Sequence, residues 1–175
     1  MGGWDSMLLV GYAGLIVGFG LLGLIKANKI RNRPREIREI INALSLLDTE
    51  IFWGVTPLPE AFAILKNRAE PPWNNFFAQL EIRLRKGENA FSAWEICCKE
   101  HQNKTCLIEE DWKVLRSIGK GLGRSDRNEQ HKQLQLAQKH LIAIDEKARA
   151  QADHKAKLWS YLGFLGGLAI VIVIM

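Results

Sequence analysis

The sequence predicts an all-α protein, and three observations carry that prediction. Between Lys26 and Lys157, apolar residues recur every three or four positions, which is the period of a helix. No segment in this range alternates Val, Ile or Thr with polar residues, as a half-buried strand would. Both chain ends contain long uncharged runs of the length that a membrane-spanning helix needs. We therefore expect a cytoplasmic six-helix bundle flanked by an N-terminal and a C-terminal transmembrane helix.

Charge is confined to the middle of the 175-residue chain. The first 25 residues contain a single charged side chain, Asp5, and residues 158–175 contain none. All 24 Lys and Arg and 18 of the 19 acidic residues lie in between, so the middle segment carries a net charge of +6. These shifts predict an N-terminal transmembrane segment (1–25), a cytoplasmic helical bundle (26–157) and a C-terminal transmembrane helix (158–175).

The first predicted element is the apolar run from Met7 to Ile25. As a helix it would extend about 28 Å, close to the roughly 30 Å hydrocarbon core of a bilayer. A buried core helix and a cleaved signal peptide are the alternatives. The signal peptide is disfavoured because no Lys or Arg precedes the run and no small-residue cleavage site follows it.

Glycines in the two terminal runs predict close helix packing, since small residues let helices in lipid approach each other. The alternative is that glycine is simply common in such helices. A packed partner helix is the preferred interpretation, and it includes possible self-association. The predicted packing positions are Gly14, Gly18, Gly163, Gly166 and Gly167.

Basic residues border both apolar runs on the side of the middle segment. Lys26, Lys29 and Arg31 follow the first run, and Lys155 and Lys157 precede the second. The positive-inside rule therefore places the middle segment in the cytoplasm and both termini outside. Such a basic stretch is expected to bind anionic lipid headgroups, and each cation contributes about 1 kcal/mol to the binding free energy. Nucleic-acid binding by the same charge is the alternative.

Six amphipathic segments follow one another in the middle of the chain, and their short connections favour antiparallel packing in one bundle. Proline suits the first turn of a helix, so Pro34 marks the expected start of the first helix. The apolar face predicted for this helix contains Ile37, Ile40, Ile41, Leu44, Leu47 and Ile51. The predicted helices run from Pro34 to Gly54, from Thr56 to Pro71, from Trp73 to Lys86, from Asn89 to Glu100, from Leu107 to Leu122 and from Asp126 onward.

The last predicted helix differs from the others in length. Asp126 and Glu129 have the spacing of a capping box at its start. No Pro or Gly interrupts it before Gly163. We therefore expect this helix to be continuous with the C-terminal span.

The stretch SIGKGLGRSD, residues 117–126, looks at first like a phosphate-binding loop. A Walker loop needs Ser or Thr after Gly-Lys, and the dinucleotide fingerprint has a different glycine spacing; both follow a strand. The preferred interpretation is a helix–turn–helix corner with Gly123 in the left-handed position and Ser125-Asp126 capping the next helix. The residues expected to determine this corner are Gly119, Leu122, Gly123, Asp126 and Gln130.

No set of residues predicts catalysis, a cofactor or a metal. Cys97, Cys98, His101 and Cys106 are zinc ligands by residue type, but adjacent cysteines on a helix point about 100° apart. Small core residues and free thiols are the preferred interpretation. The acids of the EED stretch, Glu109 to Asp111, are expected in the first turn of a helix, where the helix dipole stabilises negative charge. The remaining histidines are expected in solvent: His131, His140 and His154.

Several stretches together resemble the stage III sporulation protein AB family. They are RPREIREIINALSLLDTEI (33–51), G-x-TPL-x-EA (54–61), Ala93-Trp94, LGRSD-x-x-x-Q (122–130) and LGFLGGLAIVIVIM (162–175). The resemblance implies a likeness to the platform proteins of type II secretion and type IV pilus machines, which contain cytoplasmic six-helix bundles. It also implies a place in the mother-cell membrane that becomes the outer forespore membrane.

The resemblance further implies partners. They are a cytoplasmic ATPase, stage III sporulation protein AA, and other subunits of the complex that links mother cell and forespore. We therefore expect a non-enzymatic membrane platform subunit that binds a lipid bilayer and no nucleic acid. Its expected docking face is the charged surface of the last helix, with Arg127, Lys132 and Lys139. The alternative is a membrane-tethered basic helical module that binds nucleic acid or anionic lipid.

Overall fold

The computed structural model describes the backbone of residues 3–123 and 126–174, and the side chains within these ranges except at 3–13, 15, 16, 164, 170, 171, 173 and 174. The predicted all-α class is confirmed, since the described ranges contain helices and no strand. A 3₁₀ helix, Gln102–Lys104, joins the fourth and fifth helices. The α-helices are α1 (Gly3–Phe52), α2 (Leu58–Arg68), α3 (Trp73–Arg85), α4 (Ala90–His101), α5 (Glu109–Gly119) and α6 (Arg127–Ile174).

The prediction of two transmembrane helices is not supported by the described structure. Part of the first run, residues 7–13, 15 and 16, has side chains outside the described residues. In what is described, no helix contains a stretch long and apolar enough to cross a membrane.

The chain forms two compact units. One contains residues 1–32 and 148–175 and is called the two-helix unit below. The other contains residues 33–147 and is called the bundle unit. Because α1 and α6 are single helices of 50 and 48 residues, each contributes residues to both units. As expected, α6 has no break between its first turn and the C-terminal segment.

Helix one does not begin at Pro34, because α1 passes through this residue. An internal proline removes one backbone hydrogen bond of the helix and usually weakens it. Pro34 is nevertheless buried, and its carbonyl oxygen accepts a bond from Arg38 Nε at 3.2 Å. The residues that follow form the predicted apolar stripe, with Ile37, Ile40 and Leu44 fully buried. Packing of this stripe outweighs the local preference of proline.

The core of the bundle unit is rich in aromatic side chains. Trp94 of α4 is fully buried, with its ring 5.3 Å from Phe76 of α3 and 6.2 Å from Phe62 of α2. Trp73 at the start of α3 lies 5.9 Å from Trp112 of α5. Aromatic pairs at these separations stabilise the fold by more than the burial of their apolar surface alone would. They hold the four short helices α2 to α5 together.

In the two-helix unit, α1 and α6 approach each other at a pair of glycines. A Cβ atom on Gly23 would lie 2.8 Å from Gly163 Cα, and one on Gly163 would lie 2.8 Å from Gly23 Cα. Next to this crossing, Lys26 Nζ lies 5.9 Å from the centre of the Trp159 ring. Only glycine fits at both positions without moving the helices apart.

The turn between α1 and α2 contains a strained residue. Val55 has φ +55°, the left-handed conformation that is rare for a β-branched side chain. Thr56, which follows, donates from its backbone N–H to the Glu50 carbonyl at 2.9 Å and from its hydroxyl to Glu50 Oε2 at 2.8 Å. These bonds hold the turn in a conformation that valine alone would avoid.

Replacing Val55 with glycine is expected to raise the free energy of unfolding by about 0.5–1 kcal/mol. The left-handed conformation costs a non-glycine residue about 1–2 kcal/mol, whereas glycine loses about 0.5–1 kcal/mol more chain entropy on folding. Urea unfolding followed by circular dichroism measures the change. The same substitution at Val114, inside α5, should lower stability. A destabilised Val55→Gly chain would show that the turn is not strained.

Candidate functional site

The predicted corner between α5 and α6 is present. The helix α5 ends at Gly119, three residues before the predicted Leu122, and a short turn follows. Gly121 N–H donates to the Ile118 carbonyl at 3.1 Å, and Leu122 N–H donates to the Gly119 carbonyl at 3.3 Å. Gly123 then has φ +72°, the left-handed conformation expected for it. The predicted cap Ser125 lies outside the described residues.

Gly119 lets α5 lie directly against the core. A Cβ atom added here would lie 2.6 Å from Trp94 Cδ1, well inside van der Waals contact. Trp94 is held in place by its own Nε1, which donates to the Leu115 carbonyl at 2.8 Å. The corner and the aromatic core are therefore one packed structure, because the indole fills the space that a side chain on Gly119 would need.

The start of α6 is capped by Asp126. Its Oδ1 accepts the Glu129 N–H at 2.8 Å, and its backbone carbonyl accepts the Gln130 N–H at 3.0 Å. Leu122 is 2 % exposed and Gln130 is 9 % exposed, so both side chains face the interior. All five predicted corner residues therefore lie in the connection between α5 and α6 or in the adjoining turns of these helices. Their arrangement positions α6 in the bundle unit.

Replacing Gly123 with valine is expected to lower the free energy of unfolding by about 1–3 kcal/mol, the range for backbone strain of this kind. A Cβ atom at this position would also lie 3.2 Å from Ala90 Cβ and 3.4 Å from Leu58 Cδ1. Asn tolerates a positive φ better than valine, so Gly123→Asn should cost less. Urea unfolding compares the two variants. Equal stability of the valine variant and the native chain would contradict this expectation.

The predicted docking residues lie on the outer surface of α6. Arg127, Lys132 and Lys139 are all exposed. In the part of the chain that the structure describes, none of the three forms an ion pair. Two apolar side chains on the same helix are also exposed, Leu136 at 56 % and Ile142 at 45 %. These three cations and two apolar side chains are therefore accessible on α6.

His131 makes contacts within the bundle unit that were not predicted from the sequence. It was expected in solvent, yet its Nδ1 lies 2.7 Å from Asp48 Oδ1. Its ring stacks on Phe52 with centroids 4.3 Å apart and planes 17° from parallel. On its other side, Gln135 Nε2 lies 3.0 Å from His131 Nε2. His131 therefore joins the first turns of α6 to the end of α1, 83 residues earlier.

A second interaction absent from the sequence analysis joins α1 to α5. Asp111 is fully buried and accepts two bonds from Arg33, from Nε at 2.9 Å and from Nη2 at 2.8 Å. The same carboxylate accepts the Ile108 N–H at 2.9 Å and so caps α5. The hydrogen bond to Asp111 raises the pKa of Arg33 above its usual range. Nearby, Glu36 Oε2 accepts the Cys106 N–H at 2.7 Å.

The cysteines lie mostly in the core. Cys97 and Cys98 are fully buried free thiols, and Cys106 is half-buried. Burial raises the pKa of Cys97 to about 11 and also raises the pKa of Cys98. Burial lowers the pKa of His101, whose Nδ1 lies 3.0 Å from the Cys97 carbonyl oxygen. Among the described residues, no three His, Cys, Asp or Glu side chains are grouped closely enough to share a metal ion.

A groove of about 450 Å³ lies between α1 and α2. Arg35 bonds to Glu39 at 3.0 Å and to Glu70 at 2.6 Å along its wall, so these charges neutralise one another. Arg68 and Leu65 also line it. The groove therefore has no excess of either charge to select a ligand.

In the two-helix unit, the predicted packing glycines divide into two groups. Gly163 makes the close approach already described, with Gly23 as its partner, and Gly167 is buried. Among the described atoms, a Cβ atom added to Gly14, Gly18 or Gly166 would meet nothing within 4 Å. The close approach to Gly163 is made by Gly23, which was not among the predicted positions.

Comparison with known proteins gives three concordant results. Residues 8–175 match the family model for stage III sporulation protein AB. The chain is 32% identical over 168 residues to stage III sporulation protein AB of Bacillus subtilis (strain 168), covering 95% of this chain and 98% of the relative. A solved structure of stage III sporulation protein AB superposes with a TM-score of 0.66 at 34% identity, over 69% of this chain and 96% of the other.

Proposed function

This chain belongs to the stage III sporulation protein AB family and has a role in sporulation, and from that premise we propose that it is a non-enzymatic platform subunit of the mother cell–forespore channel complex. In this proposal the two-helix unit holds the protein at the mother-cell membrane, which becomes the outer forespore membrane. The bundle unit lies in the mother-cell cytoplasm and binds stage III sporulation protein AA, the ATPase, or a sister subunit.

The observation that carries the proposal is the apolar outer surface of the two-helix unit. Apolar surface of this extent is rare on isolated domains and marks contact with lipid or protein. Exposed cations lie beside it, at Lys26, Lys29, Lys155 and Lys157, where they favour anionic headgroups. The apolar side chains with more than half of their surface exposed are Val17, Leu21, Leu22, Leu24, Ile25, Tyr161, Leu162, Leu165 and Ile172.

The bundle unit supports a binding role. Thiols with pKa values raised by burial are poor nucleophiles at neutral pH, because the thiolate is the reactive form. This applies to Cys97 and Cys98. In contrast, the exposed cations of α6 and the nearby Leu136 are available to another protein. The surface that is free to interact is therefore suited to docking.

Nucleic acid is disfavoured as the ligand of the bundle unit. Binding to phosphates needs cations free to displace counterions, and many arginines here are already paired with carboxylates. The paired arginines are Arg33, Arg35, Arg83, Arg85 and Arg116. These pairs reduce the positive charge available to a phosphate backbone. A salt-dependent DNA-binding assay on the full-length chain should show no tight binding at physiological salt.

The proposal is tested in sporulating cells that carry a functional fluorescent fusion of the full-length chain. We expect fluorescence around the forespore and co-purification of stage III sporulation protein AA with the tagged chain. Replacing Leu22 and Leu162 with glutamate should release the protein from the membrane without unfolding the bundle unit. Even fluorescence throughout the mother cell, together with no co-purifying ATPase, would contradict the proposed function.

A further inference from the structure

A groove of about 440 Å³ lies in the two-helix unit, where α1 passes α6. Its lining changes from apolar to polar over about 10 Å along α1, at 1.5 Å per residue. Most of the α1 residues that line it are three or four positions apart, so they share one face of the helix. The groove is therefore amphiphilic. Its lining consists of Leu24, Ile25, Ala27, Asn28 and Arg31 of α1 and Ser160 of α6.

The polar end of the groove has hydrogen-bond donors that the protein does not use. Arg31 is exposed, and within the described residues it forms no ion pair. Asn28 Oδ1 accepts a bond from Asn32 Nδ2 at 3.2 Å, which leaves Asn28 Nδ2 available as a donor. A guanidinium and a carboxamide N–H on one helix face are suited to the oxygens of a phosphate group.

The charge of the two-helix unit is positive when all of its Lys, Arg, Asp and Glu residues are counted. Two acids stand against six cations, so the net charge is +4. Asp5 precedes the N-terminal apolar run, and its side chain is outside the described residues. Asp153 has a cation one turn away on either side along α6, so it does not reverse the excess. The six cations are Lys26, Lys29, Arg31, Arg149, Lys155 and Lys157.

The cations of the two helices lie at matching levels. Gly23 crosses Gly163, and Lys26, three residues further along α1, reaches the ring of Trp159, four residues earlier on α6. The two helices are therefore antiparallel in this unit. Equal distances from the crossing then place basic residues opposite each other, six residues away for Lys29 and Lys157 and eight residues away for Arg31 and Lys155.

Two aromatic side chains separate these cations from the apolar surface of the two-helix unit. Trp159 and Tyr161 are both exposed, and Lys26 Nζ lies 5.9 Å from the centre of the Trp159 ring. Tryptophan and tyrosine are enriched at the boundary between lipid hydrocarbon and headgroups. The order apolar, aromatic and basic along the two antiparallel helices matches the order hydrocarbon, boundary and headgroup. This order favours a lipid over a protein as the occupant of the groove.

We propose that the groove binds the headgroup phosphate of an anionic phospholipid. Arg31 and Asn28 Nδ2 donate to the phosphate, and an acyl chain lies along Leu24 and Ile25. Arginine can donate two parallel bonds to a phosphate, whereas lysine acts as a point charge. The net charge of the unit disfavours a headgroup that adds a choline cation. This proposal rests on the proposed function, since it names the lipid that the two-helix unit meets at the membrane.

The test measures flotation of the full-length chain with vesicles of phosphatidylcholine, with and without phosphatidylglycerol. The native chain should bind the vesicles with phosphatidylglycerol at least about tenfold more tightly. Arg31→Lys retains the charge but loses the paired donors, so it should weaken this binding about fivefold. Lys29→Arg is the matched control, about 200° around α1 from Arg31, and should bind as the native chain does.

Two further variants separate a built site from general attraction between charges. Lys29→Gln should weaken binding about fivefold, the effect of one cation near an anionic surface. Arg31→Gln removes the same charge and should weaken it more than tenfold. Asn28→Ala should weaken it about threefold with no change in charge. Circular dichroism should show native helix content in each variant, since these side chains are exposed. Equal binding of Arg31→Lys and the native chain would overturn the site.

Other outcomes distinguish the site from the proposed function. Equal binding to both kinds of vesicle would overturn the anionic-lipid site, but would still support a membrane role of the two-helix unit. Displacement from the vesicles by millimolar glycerol phosphate would overturn it too, because the ligand would then be a free phosphate. If the native chain floats with neither vesicle, the site is overturned, whereas fluorescence of the fusion around the forespore would still support the proposed function through a protein anchor.

Discussion

Replacing Asp111 with alanine is expected to lower the free energy of unfolding by about 3 kcal/mol, because removing one partner of a buried ion pair leaves the other charge without compensation. The carboxylate is fully buried, and Arg33 retains 18% exposure of its side chain. The substitution also removes the acceptor of the Ile108 N–H at the start of α5. Loss of a helix cap alone costs about 1 kcal/mol.

Urea unfolding of the full-length chain measures this loss. Glu110→Ala is the control, since Glu110 is the exposed neighbour in the same helical turn. It should change stability by less than about 0.5 kcal/mol. Replacing both Asp111 and Arg33 with apolar residues should cost less than the two single changes together, because no unpaired charge then remains. A loss below 1 kcal/mol for Asp111→Ala would show that the pair does not hold α1 to α5.

Local patterns predicted the elements of the bundle well. The apolar spacing identified Ile37, Ile40 and Leu44 as one face of a helix, and all three are fully buried. Gly123 was recognisable from its place after an amphipathic helix and before an acidic cap. Such features depend on residues within a few positions of each other, so their signal is contained in a short stretch of sequence.

Interactions between distant segments had no such signal. Arg33 and Asp111 are 78 positions apart, and each has a plausible local role that conceals the pair. The same holds for His131, which was assigned to solvent because only its charged neighbours along α6 were considered. Spacing identifies a helix face, but it does not identify which residue of another helix that face meets.

The chain ends show a further limit of sequence patterns. Gly14 and Gly18 were named as packing positions from the sequence, whereas Gly23 makes the close approach to Gly163. Every glycine in such a run is a candidate, and the crossing point depends on the register of the two helices. Pro34 illustrates the opposite error, because a strong local preference was outweighed by burial of the stripe that follows it.

The largest single loss is expected for Trp94→Ala, at about 3–5 kcal/mol, the range for deleting a buried aromatic side chain. The indole is fully buried, contacts the rings of Phe62 and Phe76, and donates to the Leu115 carbonyl at 2.8 Å. Urea unfolding followed by circular dichroism measures the change. A loss of less than 2 kcal/mol would mean that the surrounding helices collapse into the space.

A second substitution tests whether the corner and the core are one structure. Gly119→Val alone should cost about 1–3 kcal/mol by overpacking, since its Cβ would lie 2.6 Å from Trp94 Cδ1. In the Trp94→Ala background the added side chain enters vacated space, so the same change should cost at least 1 kcal/mol less than it does alone. Contacting residues couple in this way, and independent sites do not. If the losses in unfolding free energy of the two substitutions were additive, the corner and the aromatic core would be independent. Packing of Gly119 against Trp94 would then not explain the position of α6 in the bundle unit.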